Sequence, residues 1–253
     1  MKKTVSKIMK AGVMAILMLM TILPSADAGE KKNTKSVPVK ILQMYDISAE
    51  GYSVGNVKAV RTASDENGAV VVKEIWDTEI SFSLDGLTYS LKSQETAEYD
   101  LNRLRSYTAV VTENDSGGKI TANFFNKDIQ VETYGKEGKI QKTGFFKKGD
   151  YDFTDAYMPL NRLKLKQGKY TKNMLCFQDG SIRIINLRVA QKASVTAAGK
   201  TFQCKVLDFD YGVAKGRVWL AEDSLGCFVV QEYSSTEDGP FKRVLTEYKT
   251  FGI

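Results

Sequence analysis

The chain has 253 residues, 43% of them apolar and 26% charged, with a formal charge of +6, three cysteines and no histidine. Without histidine, Ser-His-Asp and Cys-His nucleophile systems are excluded, as are most zinc and non-haem iron sites. The sequence also lacks a P-loop, G-x-G-x-x-G and C-x-x-C, and its one G-x-S-x-G match, Gly51–Gly55, has no histidine to activate Ser53, so a non-enzymatic protein is expected.

The first element is an address. Lys2, Lys3, Lys7 and Lys10 precede an apolar run of 13 residues, Ala11–Leu23, and Ala26 and Ala28 form an A-x-A pair. That layout predicts a signal peptide cleaved after Ala28, hence an exported protein of the periplasm or extracellular space. The run is shorter than the roughly 20 residues that a membrane-spanning helix needs, so the cleaved chain is not expected to be an integral membrane protein. Removing 28 of 253 residues leaves 225, with 32 basic and 29 acidic side chains and a charge of +3. So weak an excess, spread along the chain, predicts no nucleic-acid partner. Residues 29–37, including EKKNTK, read as a flexible arm, and 38–253 as one domain.

Strand signals then recur every eight to twelve residues or so, the rhythm of an antiparallel sandwich or barrel. Val39, Ile41, Tyr45 and Ile47 share one parity in the first strand. Gly51 and Gly55 flank Tyr52–Val54, and Val57–Thr62 follows. Asp65–Gly68 turns the chain into Ala69–Trp76. Ile80, Phe82 and Leu84 alternate with polar residues up to Asp85–Gly86, and Leu87, Tyr89 and Leu91 alternate back, a hairpin with an Asp-Gly tip. Asn114–Gly118, Gly135–Gly138 and Asp179–Gly180 separate further strands. Two helical segments are expected: a short one at Thr154–Leu165, capped by Thr154 and interrupted by Pro159, and a weaker one at Glu95–Arg105.

The richest stretch is Val195–Tyr233. Phe202, Cys204 and Val206 alternate with Gln203 and Lys205, whereas Val218–Ala221 and Cys227–Val230 are apolar at both parities. Strands of the second kind are shielded on both faces. One face meets the core, and the other, carrying Trp219, Cys227 and Val229, is expected to line a concave, ligand-binding wall. Cys176, Cys204 and Cys227 each sit in an apolar run, which favours buried thiols, although an exported chain could also form one disulfide. Asp208 and Asp210 share a strand face, but without an Asp/Asn-rich loop they read as a solvated strand end rather than a calcium site. No cofactor or metal is expected.

The block Ala197–Asp223 (AAGKTFQCKVLDFDYGVAKGRVWLAED) resembles a family of bacterial exported proteins of unknown function. Its members show a G-T-F-x-C/A-x-K-V block, a short turn, a strand with V-W-L or V-W-V, and an acidic turn. This chain departs from the pattern by Lys200, inserted between Gly199 and Thr201. Tyr45–Gly55 and Asp152–Gly168 resemble the family's opening strand and central short helix. The family looks related to LolA-like lipoprotein-carrier half-barrels. The resemblance implies an all-β fold, a single large antiparallel sheet curled into a half-barrel or barrel around one short helix. It also implies an apolar, lipid-like ligand in the concave face or, as the alternative, a protein-interaction module of envelope assembly or stress response. Transfer from fold to function is analogy.

Overall fold

A computed structural model describes residues 39–66, 69–84, 87–100, 103–114, 116–125, 128–155, 166–236 and 239–252. The expected signal peptide and arm lie outside these residues. The first half of the chain is a meander of eight strands: β1 (Val39–Ala49), β2 (Tyr52–Glu66), β3 (Ala69–Leu84), β4 (Leu87–Asp100), β5 (Arg103–Glu113), β6 (Ser116–Phe124), β7 (Asp128–Tyr134) and β8 (Ile140–Lys147). The second half adds β9 (Phe153–Thr154), β10 (Gly168–Cys176), β11 (Ser181–Val189), β12 (Ala193–Ala197), β13 (Lys200–Asp210), β14 (Ala214–Asp223), β15 (Gly226–Thr236) and β16 (Gly239–Gly252).

All belong to one sheet. Its order is β8-β7-β6-β5-β4-β3-β2-β1-β16-β15-β14-β13-β11-β10-β9, with β12 paired to the start of β13. The first and last long strands, β1 and β16, therefore pair in its middle. Neighbours are antiparallel, as tight turns require, apart from the two-residue β9 beside β10. A sheet this wide cannot lie flat, because right-handed strand twist accumulates from strand to strand. It curls until its two halves share an inner face. Arg61 on β2 reaches Asp223 at the end of β14, four places along the order. Phe177, just after β10, packs on Tyr107 of β5 and Phe124 of β6, with ring centroids 5.0 and 6.2 Å apart. The curl stops short of closure, because β8 and β9 stand at opposite ends of the order without pairing to each other. Lys142 on β8 bridges towards the far side by donating to the Asp179 carbonyl at 2.5 Å.

The core follows from strand parity. Ile41, Tyr45 and Ile47 of β1, Val57 and Ala59 of β2, Trp76 and Ile80 of β3, and Leu91 of β4 are buried together, with the Tyr45 and Trp76 rings stacked at 5.8 Å.

The all-β expectation holds for the described residues, which contain no helix. Of the expected helix at Thr154–Leu165, Thr154 belongs to β9 and residues 156–165 lie outside those described. The weaker helix at Glu95–Arg105 is corrected: its described residues, 95–100 and 103–105, are the end of β4 and the start of β5. Glu95, Ala97 and Tyr99 all point inward from β4, so the alternation was hidden by a buried carboxylate on the apolar side. Asp179–Gly180 lies in the turn between paired Cys176 and Ser181, with Gly180 at φ 60°. Asp85–Gly86 itself is not described, but Leu84 and Leu87 on either side are paired as a hairpin demands. Gly55 belongs to β2 rather than to a turn, and a Cβ there would meet the Glu79 carbonyl oxygen at 2.1 Å. Only glycine lets β2 and β3 run so close.

All three cysteines are free and buried. Burial raises their thiol pKa values, that of Cys204 to about 11. Native protein should therefore leave Ellman's reagent unreacted at pH 8 and titrate three thiols only after denaturation. Rapid modification of the folded protein would show that these strands open.

Candidate functional site

The inner face carries charge as well as apolar side chains. In β2, Arg61 has the same parity as Val57 and Ala59, and it is fully buried. Its cross-strand neighbour on β3 is Glu74. The Arg61 guanidinium ion-pairs with Asp223, donates to the Cys227 carbonyl at 3.4 Å and lies 5.4 Å from the Phe228 ring centroid. Asp223 also accepts the Tyr248 hydroxyl at 2.9 Å and the Leu225 amide at 2.8 Å. Tyr99 donates to Glu74 at 3.3 Å.

A second buried ionic group lies nearby. Arg243 of β16 pairs with Glu232 of β15 at 2.6 Å and sits 5.5 and 5.6 Å from the Tyr45 and Trp76 ring centroids. Glu95 of β4, cross-strand from Trp76, accepts the Tyr107 hydroxyl at 2.7 Å. Burial pushes Glu95 up to about 7, against the hydrogen bond from Tyr107 and the charge of Arg243. Glu74 is likewise raised to about 7, burial outweighing the charge of Arg61. Carboxyls of that acidity suit proton transfer in an open cleft. Here both are closed off from solvent and act on stability.

Several interior polar groups have no hydrogen-bond partner among the described residues: both side-chain atoms of Gln43, the Tyr89 hydroxyl and the Ser93 hydroxyl. Such groups cost about 1–3 kcal/mol each when left dry and are ordinarily met by buried water. The interior is thus a mixed aromatic and ionic one. Sequence reasoning missed these residues because it took only apolar side chains as inward-facing. The signal that would have found them is parity, since Arg61, Glu74, Glu95 and Arg243 each fall in step with buried apolar neighbours.

Of the residues expected to line a ligand wall, Cys227 and Val229 are buried, and Cys227 approaches Glu222 with its sulfur 3.5 Å from Oε1. Trp219 is separated from them. It shares the outer face with Arg217, is partly buried, and carries the Arg217 guanidinium 5.9 Å from its ring centroid. Val218 and Leu220 on either side point to the core. A bulge between Trp219 and Leu220 shifts the pairing with β15 at this point. Asp208 is engaged by Arg188 and Arg217, each at 2.5 Å, and Asp210 accepts the Gly212 amide at 3.0 Å.

The sheet also has one long exposed margin. β8 pairs with β7 on one side, and among the described residues no strand pairs its other side. Its sequence, IQKTGFFK, contains Lys142 and Lys147 and no carboxylate. Phe145 is 72% exposed on this strand, and Ile140 and, at the β6–β7 corner, Phe125 are exposed with it. Phe146, of opposite parity, packs against the core. No protein-family model matches the chain, and neither the curated proteins nor the solved structures contain a match to it.

Proposed function

We propose that the protein is a non-enzymatic binding module of the cell envelope that takes an extended segment of a partner protein as an added strand along β8. The observation that carries this reading is the margin of β8, unpaired among the described residues, with Phe145 standing out from it. An open edge offers a row of backbone donors and acceptors, which give affinity, while side-chain contacts on alternate positions give choice of partner. Lys147 disfavours indiscriminate edge-to-edge pairing and selects a segment with a carboxylate, and Phe145 and Ile140 select apolar residues beside it. An acyl chain is a poorer match for the concave face, where Arg61, Glu74, Glu95, Glu232 and Arg243 are buried. Each would have to be shielded from hydrocarbon by its own partner.

Photo-cross-linking tests this. Benzoylphenylalanine in place of Phe145 should give a discrete protein adduct in the cells that make the protein. The same group in place of Val110, exposed on β5 in the body of the sheet, should give none. Equal adduct patterns from the two positions, or a lipid adduct in place of a protein one, would overturn the edge-docking reading.

A further inference from the structure

A second surface, independent of β8, lies on the outer face of the other half of the sheet. The registers place Lys169 of β10 beside Arg188 of β11, Arg188 beside Asp208 of β13, and Asp208 beside Arg217 of β14. The row continues through Tyr233 of β15 to Lys242 of β16. Six adjacent strands thus present four cations, one carboxylate and one exposed tyrosine in a line. With neighbouring strands about 4.8 Å apart, the backbones that carry Arg188 and Arg217 are roughly 10 Å from each other, and both guanidinium groups converge on Asp208 between them. Asp208 is 22% exposed and fixes both guanidinium groups, which remain 54% and 45% exposed with donors free to face solvent. The guanidinium groups also hold the Asp208 carboxyl below its ordinary pKa, led by the hydrogen bond from Arg217, so this geometry persists at neutral pH.

Beside the cations runs a shallow groove of about 410 Å³, lined by Thr171, Asn186 and Asp210 as well as Lys169, Arg188 and Asp208. Its amide, hydroxyl and carboxylate groups match the vicinal hydroxyls of a sugar. A DNA phosphodiester backbone is the poorer match, because it has no hydroxyl to donate to the Asp208 and Asp210 carboxylates, whereas a sugar hydroxyl donates as well as accepts. Tyr233 offers a flat ring, whose negative face attracts the polarised C–H bonds of a pyranose. A charged row of this length fits a chain that carries anions at intervals with hydroxyls between them.

We propose that this strip binds an acidic polysaccharide laid across the strands, its carboxylates on Arg188, Arg217 and Lys242 and its hydroxyls in the groove. The reading rests on the register and the groove alone, so its failure leaves the β8 proposal untouched.

The test uses the full chain and polygalacturonate, with neutral dextran and a single-stranded DNA oligonucleotide of equal charge as comparisons. Trp219 lies beside Arg217 on this face and should report binding by a change in fluorescence. Polygalacturonate should bind, more weakly as salt rises. The exposed pair Arg188→Gln and Lys242→Gln should weaken it at least tenfold with the melting temperature unchanged, and Asp208→Asn should tighten it. Equal binding of dextran, tighter binding of the DNA, or unaltered affinity in the Arg188→Gln/Lys242→Gln protein would overturn the assignment.

Discussion

Replacing Arg61 by methionine should lower stability by about 3–5 kcal/mol, the usual cost of removing one partner from a buried ion pair. For a domain of this size that is a fall in melting temperature of roughly 6–20 °C. Methionine keeps much of the buried length of Arg61, so the loss measures charge more than volume. Asp223 retains the Tyr248 hydroxyl and the Leu225 amide but loses its cation. Adding Asp223→Asn should therefore restore more than half of the lost stability, the signature of coupled neighbours. If the double variant is no more stable than Arg61→Met alone, Arg61 contributes packing and the ion pair is incidental. The effect should be large because Arg61 ties β2 to β14 across the inner face, where sheet pairing alone does not join them.

The second large effect is on the pH dependence of folding. Glu74 and Glu95 have ordinary values of 4.5 and are raised to about 7 in the folded state. Between these limits the folded protein holds protons that the unfolded chain has released, so stability falls as pH rises through the window. A rise of that size corresponds to about 3 kcal/mol for each carboxyl as an upper figure. The wild type should therefore unfold at distinctly higher urea concentration at pH 5 than at pH 8. Glu95→Gln keeps an acceptor for the Tyr107 hydroxyl and cannot ionise. It should match the wild type at pH 4 and exceed it at pH 8, removing part of the slope, the rest coming from Glu74 and from Glu232, which burial also raises. Asp179 and Asp208 act in the opposite sense, since hydrogen bonds from their partners lower their values from 3.8, and they set the acid limit of stability below the window. A wild type that gains stability from pH 5 to pH 8, or an unchanged slope in Glu95→Gln, would contradict a buried, uncompensated Glu95.

Much of the fold was legible in the chain. Alternation at Ile80–Leu84 and Leu87–Leu91, with Asp-Gly between, gave the β3–β4 hairpin, and tight turns gave an antiparallel sheet. The rhythm did not reveal strand length. Trp76 and Ile80 belong to one continuous strand of 16 residues, because Asp77, Thr78 and Glu79 continue the pleat with polar side chains. The curl was also out of reach, since the ties that make it visible (Arg61 to Asp223, Phe177 to Tyr107) join residues more than sixty positions apart. The apolar character of both parities around Trp219 was read correctly as shielding on two sides. What the sequence could not say is that Arg217 supplies part of that shielding on the outer face. The β8 margin had no signature of its own, because an edge strand differs from an inner one only by what fails to pair with it.

The most direct test of strand docking on β8 is native mass spectrometry of the protein isolated gently from the cells that make it, followed by lipid extraction. The expected result is a complex with a discrete protein partner that is present for the wild type and lost in Phe145→Ser/Lys147→Glu, with no lipid in stoichiometric amount. A protein that carries one lipid per chain, retained in that variant and released only on unfolding, would contradict edge docking and return the concave face to the centre of the function.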